Sequence, residues 1–106
     1  MKSVLSFGGR NGPTVRAAST NASQAVADLI AAGGNIMGVL ITCETNAIRF
    51  ALGSTVPTQD PAGTGHILLS AQSIKVMGSH AVRSLRFISQ AAGAHAVLQI
   101  TPEYEV

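Results

Sequence analysis

The residues in this sequence whose types suit catalysis or metal binding are three histidines, one cysteine and five carboxylates. His66, His80 and His95 are separated by fourteen and fifteen residues, a spacing that successive strands could fold into one set of metal ligands. None of the three has a partner at the short spacing that prepares a metal site on one hairpin or helix. The pattern therefore predicts no metal site, and it indicates that His66, at a junction between a loop and a strand, bonds to loop backbone.

Motifs for catalysis or cofactor binding do not occur in the sequence. Serine, histidine and aspartate are present without a Gly-x-Ser-x-Gly nucleophile elbow, and the carboxylates are dispersed, with Glu103 and Glu105 expected on one exposed face. The glycine-rich stretches 8–12 and 33–35 match no phosphate-binding pattern. Cys43 lies on the apolar face of a predicted strand, which predicts a buried, inert thiol. We therefore predict a protein that is not an enzyme and binds no cofactor.

Charged residues are scarce, at 11% of the chain against about 25% in ordinary soluble domains. The formal net charge of +2 comes from dispersed residues and is too small for a nucleic-acid footprint. The longest apolar runs, such as residues 39–41 and 67–69, fall far short of the about 20 residues that span a bilayer, so no membrane span is predicted. A surface with so few charges resists aggregation poorly when the protein is alone, which indicates contact with protein neighbours.

Strand signals dominate the chain and predict its fold class. Apolar residues alternate in six segments, residues 37–44, 47–53, 66–70, 73–77, 82–90 and 94–104. The first two and the next two are predicted to pair as hairpins. Six to eight short strands separated by turns predict an all-β fold, either an antiparallel β-sandwich or a small, jelly-roll-like barrel.

The same periodicity assigns side chains to faces. Met37, Val39, Ile41 and Cys43 are predicted to face the core together. A second inward set comprises Ile48, Phe50 and Leu52, and a third comprises Ala96, Leu98 and Ile100. Arg49 and Arg86 lie mid-strand and point away from the core, so each is expected either to pair with a carboxylate on a neighbouring strand or subunit or to lie on a solvated face.

The chain is expected to contain one domain with an N-terminal extension. Residues 1–15 are predicted to form an arm or edge strand, because residues 8–13 (GGRNGP) concentrate chain-reversing types, and residues 16–106 a single sandwich domain. Residues 22–33 fit a short helix or a strand, and the strand-like sequence that follows favours the strand. Residues 54–65 hold two prolines and two glycines, which predicts a long loop that makes contacts.

Several short motifs in a fixed order resemble those of small, β-rich virion structural proteins of tailed bacteriophages. They are residues 41–50 (ITCETNAIRF), 57–58 (PT), 65–68 (GHIL), 85–88 (LRFI) and 94–104. The resemblance covers about residues 37–104 and does not include the N-terminal third. Pro102 departs from the pattern, because proline removes a ladder donor near the end of the last strand and leaves that strand's length open.

The resemblance implies an assembly role in the virion, which is assembled in the host cytoplasm. The expected function is that of a capsid cement or decoration protein, with a neck or tail component as the alternative. The partners would be the major capsid protein or other virion structural proteins and further copies of the chain, a trimer being one arrangement. From exposure patterns, the residues expected at interfaces are Phe7, Arg10, Arg49, Pro57, Thr58, Asp60, His66 and Arg86.

A carbohydrate-binding module is the main alternative from another class, since such modules are also β-sandwiches. They usually bind sugars on exposed aromatic platforms. This chain has no tryptophan and one tyrosine. The composition therefore favours the assembly role over sugar binding.

Overall fold

The structure is a computed structural model that describes residues 10–30 and 34–105. Nine strands and one short α-helix make up this part of the chain. The strands are β1 (Arg10–Asn11), β2 (Val15–Ala18), β3 (Gln24–Ala25), β4 (Ile36–Thr45), β5 (Ile48–Ala51), β6 (His66–Leu68), β7 (Ser73–Met77), β8 (Arg86–Ser89) and β9 (Val97–Tyr104). The helix, α1, spans Ser79–Ser84.

The strands form two open antiparallel sheets. Sheet A has the order β1-β9-β4-β7, with β2 also paired to β9, and sheet B has the order β3-β8-β5-β6. Every strand pairing in the described ranges is antiparallel. The prediction of an all-β antiparallel sandwich is confirmed, and the open sheets are not those of a closed barrel. Two of the nine strands have two residues each, which accounts for the excess over the six to eight predicted.

The core lies between the sheets and contains the predicted faces of the two longest strands. Val39, Ile41 and Cys43 of β4 are at most 1% exposed, and Leu98 and Ile100 of β9 are fully buried. Both strands alternate at period two, so their other faces point away from the core. The predictions for these two faces are confirmed, except that Met37 is only half-buried.

Both predicted hairpins are wrong. β4 pairs with β7 and β9 in sheet A, whereas β5 pairs with β6 and β8 in sheet B. The short connections after β4 and after β6 cross from one sheet to the other instead of reversing within a sheet. The crossings are bonded to each other, because the Cys43 N–H donates to the Gln72 carbonyl (2.9 Å) and the Ala71 N–H donates to the Cys43 carbonyl (2.7 Å).

Two further segments differ from their predicted structure. The strand expected over residues 82–90 begins only at Arg86, because α1 occupies Ser79–Ser84 and packs Val82 into the core. Within residues 22–33, β3 contributes two strand residues and a 3₁₀ turn follows at Val26–Asp28. Residues 31–33 of that segment lie outside the described residues. Neither segment is long enough for a helical period to appear in the sequence.

Pro102 lies inside β9, a central strand of sheet A. The Pro102 carbonyl accepts a hydrogen bond from the Gly12 N–H (2.9 Å), so Pro102 faces the edge formed by β1 and β2. The N and O atoms of one strand residue point to the same side, and the donor that proline lacks is therefore missing at the break between β1 and β2. Because β1 ends and β2 begins on either side of this position, no edge strand needs the N–H that Pro102 lacks. β9 therefore continues past Pro102 to Tyr104.

Candidate functional site

The loop of residues 54–65 is fastened to sheet B by one arginine. Arg49 of β5 donates from Nε and Nη2 to Asp60 Oδ1, at 2.9 and 2.6 Å, and from Nη1 to the Gly65 carbonyl at 2.7 Å. The hydrogen bond from Arg49 holds the pKa of Asp60 below its usual value. The expectation that Arg49 pairs with a carboxylate is met within its own chain, and the partner lies in the loop rather than on a neighbouring strand.

Further bonds give the loop a fixed path. Gln90 Nε2 donates to Asp60 Oδ2 (3.0 Å), while the Asp60 N–H donates to the Gln90 carbonyl (2.8 Å). Thr58 and Thr64 close the loop on itself, with bonds of 3.0 and 2.8 Å. Pro57 is buried. The loop therefore covers the outer face of sheet B, where Ile88 lies opposite Arg49 with 6% of its surface exposed.

Four large apolar side chains are exposed around the edge strand β6 and the loop. Leu52 (40% exposed) and Val56 (55%) precede the loop's fixed part, and Ile67 (42%) and Leu69 (50%) lie on and after β6. We call these four residues the apolar edge surface. A shallow pocket of about 320 Å³ at one end of it is lined by Leu52 and His66, and a second of about 320 Å³ at the other end by Leu69.

The structure brings together five of the eight predicted interface residues. Arg49, Pro57, Thr58 and Asp60 form or fasten the loop, and His66 begins β6 beside it. The His66 ring packs against Phe50, with 5.4 Å between ring centroids, in place of the predicted bond to loop backbone.

The other three predicted interface residues lie elsewhere. Arg10 sits over the Tyr104 ring, 5.3 Å from its centroid. Arg86 donates to Ser23 Oγ at 3.0 and 3.2 Å, so its hydrogen-bond acceptor is a hydroxyl and not the expected carboxylate. Phe7 lies outside the described residues, as does most of the predicted N-terminal arm, whose residues 10 and 11 form β1.

A buried hydroxyl chain links two serines to a histidine. Ser19 Oγ and Ser89 Oγ are 2.6 Å apart, and Ser89 Oγ lies 2.9 Å from His95 Nδ1. Ser89 is fully buried, so a substrate atom could reach its oxygen only if the sheets opened. The chain instead satisfies buried polar groups, and Ser19 also accepts the Ala96 N–H at 2.7 Å. Among residues 10–30 and 34–105, no three histidine, cysteine or acidic side chains are grouped as metal ligands would be.

Two side chains contradict the predicted faces. Glu103, expected to be exposed, is 1% exposed and lies 3.3 Å from Lys75 Nζ. Leu52, expected to face the core, is 40% exposed because β5 ends at Ala51 and the chain turns into the loop. Strand alternation carries no information beyond the end of a strand, so the exposure of Leu52 has no signal in the sequence.

Comparison of this chain with protein-family models, with curated proteins and with solved structures finds no match. No helix in the described part of the chain is long and apolar enough to cross a membrane. The resemblance to virion structural proteins therefore stays a prediction. The function has to be argued from the fixed loop and the apolar edge surface.

Proposed function

We propose that this protein is a non-enzymatic structural protein of a bacteriophage virion, and within that class a capsid cement or decoration protein. It would stabilise the shell through many protein–protein contacts. The observation that carries the proposal is the apolar edge surface, four large apolar side chains that are each at least 40% exposed, on and after β6, at the end of β5 and in the loop. Exposed apolar patches often mark surfaces that meet other proteins.

The fixed loop supports a role in binding. A loop that must be ordered during binding costs free energy at that moment, whereas one already fastened does not. Arg49, Asp60 and Gln90 hold this loop in place before any partner arrives. The exposed residues of its fixed part, such as Thr58, are therefore presented in one arrangement to every neighbour.

Multiple copies make modest surfaces sufficient. On a symmetric shell each further contact forms at a high effective concentration, so weak single interfaces add up to stable attachment. Only 11% of the residues are charged, so electrostatic repulsion between neighbouring copies weakens these contacts little. The resemblance noted for residues 37–104 supports the virion as the particle concerned.

Binding to phage heads tests the proposal. Purified protein would be mixed with empty heads of the phage that encodes it, prepared without this protein, and sedimented. We expect saturable co-sedimentation, and we expect Val56→Asp to weaken it about ten-fold or more because a charge would replace an exposed apolar contact. The matched control is Met77→Asp, at a residue 45% exposed in β7 and outside the apolar edge surface.

Binding to isolated tails and necks, compared with binding to heads, shows where in the virion the protein acts. Binding to isolated tails or necks without binding to heads would favour the neck or tail alternative. Binding to neither would overturn the virion role. A variant lacking residues 1–9 tests the predicted arm, and this boundary is chosen because residues 10 and 11 already pair with β9. If that variant binds heads as tightly as the full chain, the arm makes no contact.

A further inference from the structure

The backbone of Ile67 faces away from the sandwich. The Gln90 N–H donates to the Ala47 carbonyl (3.0 Å). The backbone N–H and C=O groups of every second residue from Ala47 onward along β5 therefore point toward β8. The backbone groups of the residues between them, Ile48 and Phe50, point toward β6, where these residues pair with Leu68 and His66. Ile67 lies between those two paired residues. Its N–H and C=O therefore point to the edge of sheet B beyond β6, where no strand of residues 10–30 or 34–105 lies.

The neighbouring positions along this edge are already bonded within the chain. The Gly65 carbonyl accepts from Arg49 Nη1 at 2.7 Å. The Leu69 N–H donates to Gln72 Oε1 at 2.9 Å, and the Leu69 carbonyl accepts the Gln72 N–H at 3.1 Å. Of these three edge-facing residues, only Ile67 offers both a donor and an acceptor to a partner.

We propose that two copies of this chain pair through β6, antiparallel and across a twofold axis, with Ile67 of one copy opposite Ile67 of the second copy. In this arrangement each Ile67 N–H donates to the Ile67 carbonyl of the other copy. Sheet B then continues from one copy into the other as a sheet of eight strands. A twofold axis makes both halves of the contact identical, as in most dimers.

The bonding pattern favours a second copy over an extended peptide. A longer partner strand would place its next backbone groups opposite Gly65 and Leu69, whose groups named above are already used, and would leave its own groups unpaired at a cost. In the twofold pair, Gly65 of one copy faces Leu69 of the other. The Gly65 carbonyl and both backbone groups of Leu69 already have hydrogen-bond partners within their own chains, so none of them is left unpaired in the dimer.

Area and charge agree with a weak, reversible contact. Ile67 and Leu69, the members of the apolar edge surface on and after β6, are 42% and 50% exposed, and two side chains supply far less than the about 800 Å² that each partner buries in a standard interface. The nearby charges, Arg49 and Asp60, neutralise each other, so two copies meet without like-charge repulsion. We expect a dissociation constant on the order of 10–100 µM. The pairing is tested at Ile67 and the binding to heads at Val56, so the two contacts fail or hold separately.

Cross-linking tests the register. In the proposed pair the two Ile67 Cα atoms are about 5.5 Å apart, inside the about 4.4–6.8 Å that a disulfide bridges. We expect Ile67→Cys to form a covalent dimer on mild oxidation, seen on a non-reducing gel. The matched control is Leu69→Cys, at a residue that is 50% exposed against 42% for Ile67 but about 14 Å from its counterpart, and it should run as a monomer on the same gel. Cross-linking of Leu69→Cys without Ile67→Cys would overturn the register.

Sedimentation equilibrium tests the association without added cysteines. Wild type should dimerise in the expected range, and Ile67→Pro, which removes the outward donor without touching a bond to β5, should dissociate about ten-fold more readily. Met77→Thr, which removes apolar surface elsewhere, should match wild type. A wild type that stays monomeric to about 1 mM, or forms trimers, would overturn the pairing. If that protein still binds heads, the proposed function stands.

Discussion

Arg49 and Asp60 form an ion pair with 2.6 Å between Nη2 and Oδ1. The pair joins β5 to the loop of residues 54–65 and, through Gln90, to the end of β8. Because the same guanidinium also holds the Gly65 carbonyl, both halves of the loop depend on one side chain. Loop order and the packing of sheet B are therefore linked.

Removing the carboxylate should loosen the loop. In Asp60→Asn the charged partner of Arg49 is lost, so we expect the amides of Thr58 and Thr64 to exchange hydrogen about ten-fold faster than in wild type. Core amides of β4 and β9 should be unaffected. Hydrogen–deuterium exchange measures both in one experiment. Asp28→Asn, which removes an acid outside the loop, is the control, and equal exchange in all three proteins would contradict the expectation.

The same pair makes stability depend on pH in the acid range. The hydrogen bond from Arg49 lowers the pKa of Asp60 below its ordinary value of 3.8, so the unfolded chain binds this proton more tightly than the folded one. The stabilisation is complete above the unfolded pKa and is lost as the pH falls through the folded pKa. Thermal midpoints of wild type and Asp60→Asn should differ by a constant amount at neutral pH and converge below about pH 3.8. A difference that widens in acid would refute the sign.

Gly12 leaves no room for a side chain. A Cβ atom at this position would lie 2.6 Å from Tyr104 Cε2 and 2.9 Å from Pro102 Cγ. We expect Gly12→Ala to reduce the free energy of unfolding by about 1–3 kcal/mol, as overpacking does, in urea denaturation. Asn11→Ala, at the exposed neighbouring residue, should change it by less than about 0.5 kcal/mol. Equal values for the two variants would mean that β1 moves freely to make room.

The single thiol should be inert in the folded protein. Cys43 is fully buried, and burial raises the pKa of its thiol, which lowers the thiolate fraction that reacts. We expect a disulfide-exchange reagent near pH 8 to label Cys43 at least about 100-fold more slowly in native than in denaturing buffer. Labelling at similar rates in both buffers would show that the core around β4 opens readily.

Periodicity in the sequence located most of the longer strands and the buried face of β4, but not the partners of the strands. Val39 and Ile41 alternate with half-buried residues because one face of β4 must enter the core, and this constraint is local. A connection of a few residues can reverse a strand within one sheet or carry it to the other. Which occurs depends on bonds between distant residues, such as that from Cys43 to Gln72, and these have no local signature.

The candidate site divides in the same way. Residue types and position pointed to Arg49, Pro57, Thr58 and Asp60, because a loop rich in proline and glycine beside a mid-strand arginine is visible in the sequence. The outward backbone of Ile67 was not predictable. It depends on the strand order in sheet B and on the side chains that occupy the edge-facing groups of residues 65 and 69.

The position of β9 sets the order of events during synthesis. β9 pairs with β1, β2 and β4, yet it ends at Tyr104 and leaves the ribosome after all of them. Until it emerges, the strands of sheet A that it joins have no common neighbour, and the edge of β4 that pairs with β9 stays unpaired. Sheet A therefore completes only after residue 104 is outside the exit tunnel, and the nascent chain carries an unpaired strand edge until that moment.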